Sequence, residues 1–245
     1  MPETGVFVFS ALVVLGAGFI RGYSGFGFSM ITVLALSLVS PPSRIVPAVL
    51  LWEIAASLWL LPSVWRRIDW PSLAWLFVGV CLGTPLGVYF LANMPARPMR
   101  AAISLAVIVL AALLAAGFKL KTRPGRAATT LAGAVSGVFN GAAAIGGPPA
   151  ILFYFSTPTG IAVGRASLIA FFLATDLFAT GVCLVNGLVD GSTLFLAGPL
   201  LPFLALGVAL GGRSFSGADE QKFRTRVLRL LMVLSAASLV RSLAG

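Results

Sequence analysis

The chain has 245 residues, of which 59% are hydrophobic and only 10% are charged, with a mean hydropathy of +1.03 and a net charge of +10. A soluble domain carries about 25% charged residues, so these side chains cannot cover a water-facing surface, and the chain reads as an all-α polytopic membrane protein. With no histidine and two cysteines, Cys81 and Cys183, both inside apolar runs, Ser–His catalysis, histidine relays and multi-thiolate metal sites are excluded and no cofactor or metal is expected.

Apolar segments run at 5–39, 45–61, 73–90, 100–118, 127–157, 166–186, 192–210 and 225–243, lengths suited to helices crossing a ~30 Å hydrocarbon layer. The opening MPETGVFVFSALVVLGAGF has no basic stretch and carries one acid, Glu3. It continues into further apolar sequence, so it is expected to be a retained membrane segment rather than a cleaved leader. The first segment holds RGYSGFGFS in its middle, and the fifth holds NGAAAIGGPP. Glycine and proline are costly inside helices, so each cluster predicts unwound backbone between two short helices, buried in protein or lining a wet cavity.

The two interrupted segments open two similar halves. Gly18 and Gly22 correspond to Gly133 and Gly137, 115 residues later at the same spacing of four. Each cluster leads into a short apolar stretch and a turn containing proline (Pro41–Pro42, Pro158), and then three ordinary spans. This pattern predicts two inverted repeats, each a Gly-rich broken-helix hairpin followed by three transmembrane helices. The first repeat covers 1–118, a basic cytoplasmic linker 119–126, and the second repeat 127–245.

Charge orients the arrangement. With both interrupted segments treated as hairpins, 12 Lys and Arg fall on one side, among them Arg66, Arg67, Arg126, Arg165 and Arg213, and 4 on the other, Arg44, Arg97, Arg100 and Arg241. If both segments crossed fully, the split would be 7 to 9. The asymmetric solution fits the positive-inside rule, places the larger set in the cytoplasm and explains the net charge without nucleic acid. Trp52, Trp59, Trp65, Trp70 and Trp75 gather around the 62–72 loop and read as an interfacial belt.

At the first tip, Gly22, Gly25 and Gly27 leave N–H groups uncovered just before a new helix, which suits an anion. The second tip offers Asn140, Gly141, Gly146, Gly147 and Pro148, the proline fitting a first helical turn. In an inverted pair the two half-helix N-termini converge near the midplane. The anion is then expected on the N–H groups of Gly25, Gly27, Gly146 and Gly147, with Ser24 and Asn140 adding side-chain bonds. Gly83/Gly87 and Gly207/Gly211 read instead as close helix packing. Gly22-Tyr23-Ser24-Gly25 also spells an intramembrane serine-protease motif, but the chain holds no base to activate that serine.

Ionisable residues inside a membrane are functional candidates. Arg21 stands beside the first tip, placed either to meet an anion or carboxylate or to reach an interface. Glu53 and Asp176 lie on the spans after each hairpin, as proton carriers or as neutralising partners for Arg21 or Arg165. Arg44 and Arg165 near the hairpin ends read as topology markers.

The paired stretches GAGFIRGYSGFGFSMI and AGAVSGVFNGAAAIGGPPAIL resemble the signatures of the sulfite exporter TauE/SafE family, the toluene-sulfonate uptake permeases, and the layout matches along nearly the whole chain. The resemblance implies a multi-pass transporter of the bacterial inner membrane that moves sulfite or an organosulfonate, often outward. Where relatives often carry a run of glycine, Phe26 and Phe28 flank Gly27 here, a more aromatic surrounding that suits a cargo with an organic part. A carrier for an unrelated small carboxylate is the alternative within transport, and a membrane enzyme or its structural partner the alternative outside it. The expected partners are a small anion and the lipid bilayer. Monomer and homo-oligomer both accommodate such hairpins.

Overall fold

In the computed structural model, residues 4–116, 124–156 and 160–214 are described, and every element among them is helical. They are α1 (Thr4–Ser24), α2 (Phe28–Leu36), α3 (Pro42–Val64), α4 (Trp70–Asn93), α5 (Ala96–Ala115), α6 (Arg126–Ala143), α7 (Gly147–Ser156), α8 (Ile161–Val185), α9 (Gly191–Ala197) and α10 (Leu201–Arg213), with 3₁₀ turns at Trp65–Arg67 and Gly198–Leu200. Five stretches are long and apolar enough to cross a membrane: Thr4–Ser24, Pro42–Arg67, Trp70–Asn93, Ala162–Val185 and Gly191–Arg213. Large apolar side chains such as Leu12, Leu82, Leu177 and Phe195 on these helices stay exposed, which only a lipid environment accommodates at this density. The expected span at 225–243 and the turn at Pro158 lie outside the described residues.

The interrupted segments differ from expectation in where they break. α1 has 21 residues and α2 nine, lengths of about 31 and 13 Å at 1.5 Å per residue, so a full-length arm is followed by a short one. The helical ladder tolerates Gly22 because it is needed there for packing, and only Gly25–Gly27 leave the helix. The same holds in the second half, with 18 residues in α6 and ten in α7. The first turns of α1 (Thr4, Phe7, Ser10), the end of α2 (Leu36) and the start of α3 (Arg44) line one cavity of about 650 Å³, so this hairpin returns to the side from which it starts. The single apolar run 192–210 is divided at Pro199 and Pro202 into α9, a 3₁₀ turn and α10. Trp52 is not part of the tryptophan belt. It is fully buried, its indole donates to the Ala197 carbonyl at 3.0 Å, and its ring meets Phe28 edge-on.

Packing between the halves repeats itself residue for residue. α1 lies along α10, and α6 lies along α4. A Cβ on Gly18 or Gly22 would press on the carbonyl oxygens of Leu204 or Val208. One on Gly133 or Gly137 would meet those of Leu76 or Val80. Reciprocally, Gly207 and Gly211 of α10 face the Leu15 and Phe19 carbonyls of α1, as Gly79 and Gly83 of α4 face those of Thr130 and Ala134 of α6. Glycine at every fourth position lets the backbones close to van der Waals contact, the form of association that lipid favours. Each half therefore places its opening helix against the other half, and α3 packs on α8 between them.

Candidate functional site

The first tip turns because Gly25 and Gly27 take left-handed backbone angles (φ 80° and 93°) that side chains resist. The Gly25 N–H donates to the Arg21 carbonyl at 2.8 Å, closing α1, and α2 opens at Phe28. The Ser24 hydroxyl braces the turn locally, sitting 2.7 Å from the Ile20 carbonyl and 2.9 Å from that of Phe26.

Arg21 is completely buried. Its Nε is 3.0 Å from Glu53 Oε2, one terminal nitrogen donates to the Gly25 carbonyl, and the other donates to Ser57 Oγ at 2.7 Å. Glu53 and Ser57 are four apart on α3 and so share the face turned to α1. The second carboxylate oxygen of Glu53 accepts the Ser29 N–H at 3.2 Å. A carboxylate thus occupies the positive N-terminal end of α2, next to a guanidinium, as the physics of that helix end requires. Arg165 also serves this tip: a terminal nitrogen donates to the Gly22 carbonyl at 2.9 Å, and its Cγ covers the face of Gly25. It is more than a marker of topology.

At the second tip α6 ends with Ala144 in the left-handed region (φ 54°), its N–H bonded to the Asn140 carbonyl and that of Ile145 to Phe139. This double closure favours glycine at the position Ala144 holds. The Asn140 side chain is buried and bifunctional. Its Nδ2 donates to Asp176 Oδ1 at 2.9 Å, and its Oδ1 accepts the Gly146 N–H at 3.3 Å. The Ser136 hydroxyl donates to the Gly146 carbonyl. Gly146 is required by close approach, since a Cβ there would sit 2.8 Å from Asn140 Cβ, and Gly147 is tightly placed, since one there would sit 3.1 Å from the Phe172 ring. Pro148 is the second residue of α7.

Phe172 joins the tips. The Arg21 guanidinium carbon is 4.5 Å from its ring centre, and the same ring faces the place a Cβ on Gly147 would take. Four residues on, Asp176 extends from the same face of α8, within electrostatic reach of Glu53 and Arg21. One buried cluster therefore gathers Arg21, Glu53, Asn140, Asp176 and both glycine turns. In this arrangement two of the four N–H groups expected to bind an anion, those of Gly25 and Gly146, are bonded within the chain. Ser29, Ser57, Arg165 and Phe172 were not among the expected site residues. The spacing of Glu53 to Ser57 and of Phe172 to Asp176, four residues in each case, is the signal for two of them. For Ser29 and Arg165 no comparable sequence signal exists.

No curated protein and no solved structure matches the chain. The family model described as sulfite exporter TauE/SafE matches residues 10–239, a span that includes both tips, the exchanged helix pairs and the buried cluster. The chain belongs to the sulfite exporter TauE/SafE family and is a multi-pass inner-membrane transport protein.

Proposed function

We propose that the chain is a secondary transporter that carries sulfite or a small organosulfonate outward across the bacterial inner membrane. The anion binds between the hairpin tips near the midplane, and the tips take turns facing each side. The observation that carries this reading is the Glu53 carboxylate held by the α2 N-terminus and Arg21: the tip already has the chemistry of an oxyanion site, filled in the closed state by a tethered anion. A sulfur oxyanion offers the same acceptor atoms and competes for the same donors. When it enters, Gly25–Gly27 and Gly146–Gly147 release their internal bonds and turn N–H groups toward it, with Arg21, Ser24 and Asn140 alongside and Pro148 fixing the start of α7.

Alternating access follows from rocking one repeat, 1–118, against the other, 127–245, across the basic linker 119–126. The exchanged pairing of α1 with α10 and of α6 with α4 supports this. So does the direction of the helices. α6 runs parallel to α4 and α3 starts beside the start of α1, so a reversal between the consecutive spans α3 and α4 would set the two opening helices in opposite senses, as inverted repeats require.

The test is thermal stability of detergent-purified protein with sulfite, sulfate, taurine, sulfoacetate, acetate or chloride, followed by flux of the stabilising anion from liposomes. A ligand specific to the folded state raises Tm by mass action. Stabilisation by sulfite or a sulfonate, with flux, is the expected result. Stabilisation by acetate alone reassigns the cargo to carboxylates, and no shift with any anion defeats the site.

A further inference from the structure

The two tips hold their carboxylates differently, and the difference assigns them different work. Glu53 is neutralised: Arg21 pairs with one oxygen and a helix N–H with the other. Asp176, 1% exposed, has no cation of its own, because Arg21 is committed to Glu53, Ser57 and the Gly25 carbonyl. Its Oδ1 accepts from Asn140, while Oδ2 is buried with no hydrogen-bond partner. Leaving a buried carboxylate oxygen unsatisfied and its charge unpaired is costly. A proton on Oδ2 removes the charge and turns that oxygen into a donor.

We propose that Asp176, and not Glu53, is the proton-carrying group of this transporter, and that Asn140 reports its state to the second tip. The proposal rests on reading the tips as the substrate site. With Asp176 ionised, Asn140 must present its NH₂ to the carboxylate, so its Oδ1 holds the Gly146 N–H. With a proton taken from solvent onto Oδ2, the acid can donate to Asn140 Oδ1 once the amide turns over, and the Gly146 N–H becomes available to a substrate oxygen. Proton and anion then bind together.

The groups that can influence this titration are few. On α3 Glu53 and on α1 Arg21 are the charged neighbours of Asp176, and α6 adds neutral Asn140. The other titratable side chains on elements packed against α8 are Arg44 on α3, Cys81 and Tyr89 on α4, Arg126 on α6, Tyr154 on α7, and Arg66 and Arg67. None of these is among its electrostatic neighbours.

Two measurements test this. Acid–base infrared difference spectra of the detergent-solubilised protein should show the C=O band of a titrating carboxylic acid in the wild type and in Glu53→Gln, and no such band in Asp176→Asn. A band that survives Asp176→Asn, or no band in the wild type between about pH 4 and pH 9, overturns the proposal. Asp176→Ser replaces the asparagine variant if that one does not fold. Thermal-shift titration with methanesulfonate, whose charge is constant over this range, reads the coupling. Wild-type affinity should fall by up to about tenfold per pH unit above the titration midpoint, and Asp176→Asn should be pH-independent. Equal pH dependence in both proteins, or affinity that follows sodium instead of pH, overturns the coupling. If methanesulfonate and every other anion fail to bind the wild type, the substrate reading falls, while the infrared result still decides which carboxylate carries the proton.

Discussion

At the residue scale the Arg21–Glu53 pair dominates, because both charges are buried and each is the other's compensation. Removing one partner of such a pair costs about 3–5 kcal/mol, whereas replacing both with apolar residues is often neutral or better. Glu53→Gln is therefore expected to lower Tm more than the double variant Arg21→Met/Glu53→Leu, and losses that simply add in the double variant would count against the pair. The same substitution tests the tethered-anion reading. With Glu53→Gln the Arg21 charge and the Ser29 N–H lose their anion, so sulfite should raise the variant's Tm by more than it raises that of the wild type. An equal or smaller rise would mean that the oxyanion does not use this slot. Ala144 offers a smaller, separate test. A β-carbon in the left-handed region costs roughly 1 kcal/mol, so Ala144→Gly should stabilise the protein in the same melting assay, and a loss of stability would show that the methyl group is needed for packing at the tip.

At the element scale the glycine contacts between α1 and α10 and between α4 and α6 come in two equivalent copies, which permits paired predictions. Gly83→Ala and Gly211→Ala each drive a methyl group into a facing carbonyl, that of Ala134 or Phe19. Overpacking of this kind costs about 1–3 kcal/mol, and the two losses should be alike because the contacts are alike. Gly181→Ala in α8 meets nothing within 4 Å and should stabilise by about 0.5–1 kcal/mol through helix propensity alone. Melting curves of the three variants decide it, and a neutral Gly83→Ala would mean that α4 and α6 are not in contact. The start of α9 gives a pH signature. Asp190 caps it, accepting from the Thr193 N–H at 3.0 Å and the Ser192 hydroxyl at 2.7 Å, and these bonds hold its carboxyl below the usual range. A depressed folded-state value means that the contribution is complete above the unfolded value and is lost as pH falls through the folded one. Asp190→Asn should accordingly flatten the acid side of the Tm–pH curve, and an unchanged slope would show that the cap does not contribute.

At the scale of the whole molecule, what could be read from sequence depended on period and composition. The spans, the two broken segments and the repeat of Gly18/Gly22 at Gly133/Gly137 are patterns along the chain, and the described helices fall within those apolar segments, though not with the breaks where the patterns put them. Two things were not legible, for physical reasons. A glycine cluster does not say which of its glycines breaks the helix, because Gly22 serves packing and Gly25 serves the turn. Nor does local sequence tell that Arg165, 140 residues beyond Gly25, closes over the first tip, or that Trp52 is drawn from the tryptophan belt into the core; these are consequences of how the halves dock. That docking makes the final prediction. Arg165 lies near the start of α8 yet holds the first tip, so under the proposed rocking of one repeat against the other it would be a latch that has to open. Arg165→Gln, which keeps most of the side chain and removes the charge, should shift the balance toward tips exposed to solvent. In cysteine-accessibility experiments on a variant lacking Cys81 and Cys183, a cysteine at Ser24 should then react faster with a membrane-impermeant thiol reagent when Arg165 is also Gln. Methanesulfonate, which does not consume the reagent, should slow that reaction by occupying the space between the tips. If the rate is the same with and without the Arg165 substitution, the contact is only packing and the repeats do not part at this tip.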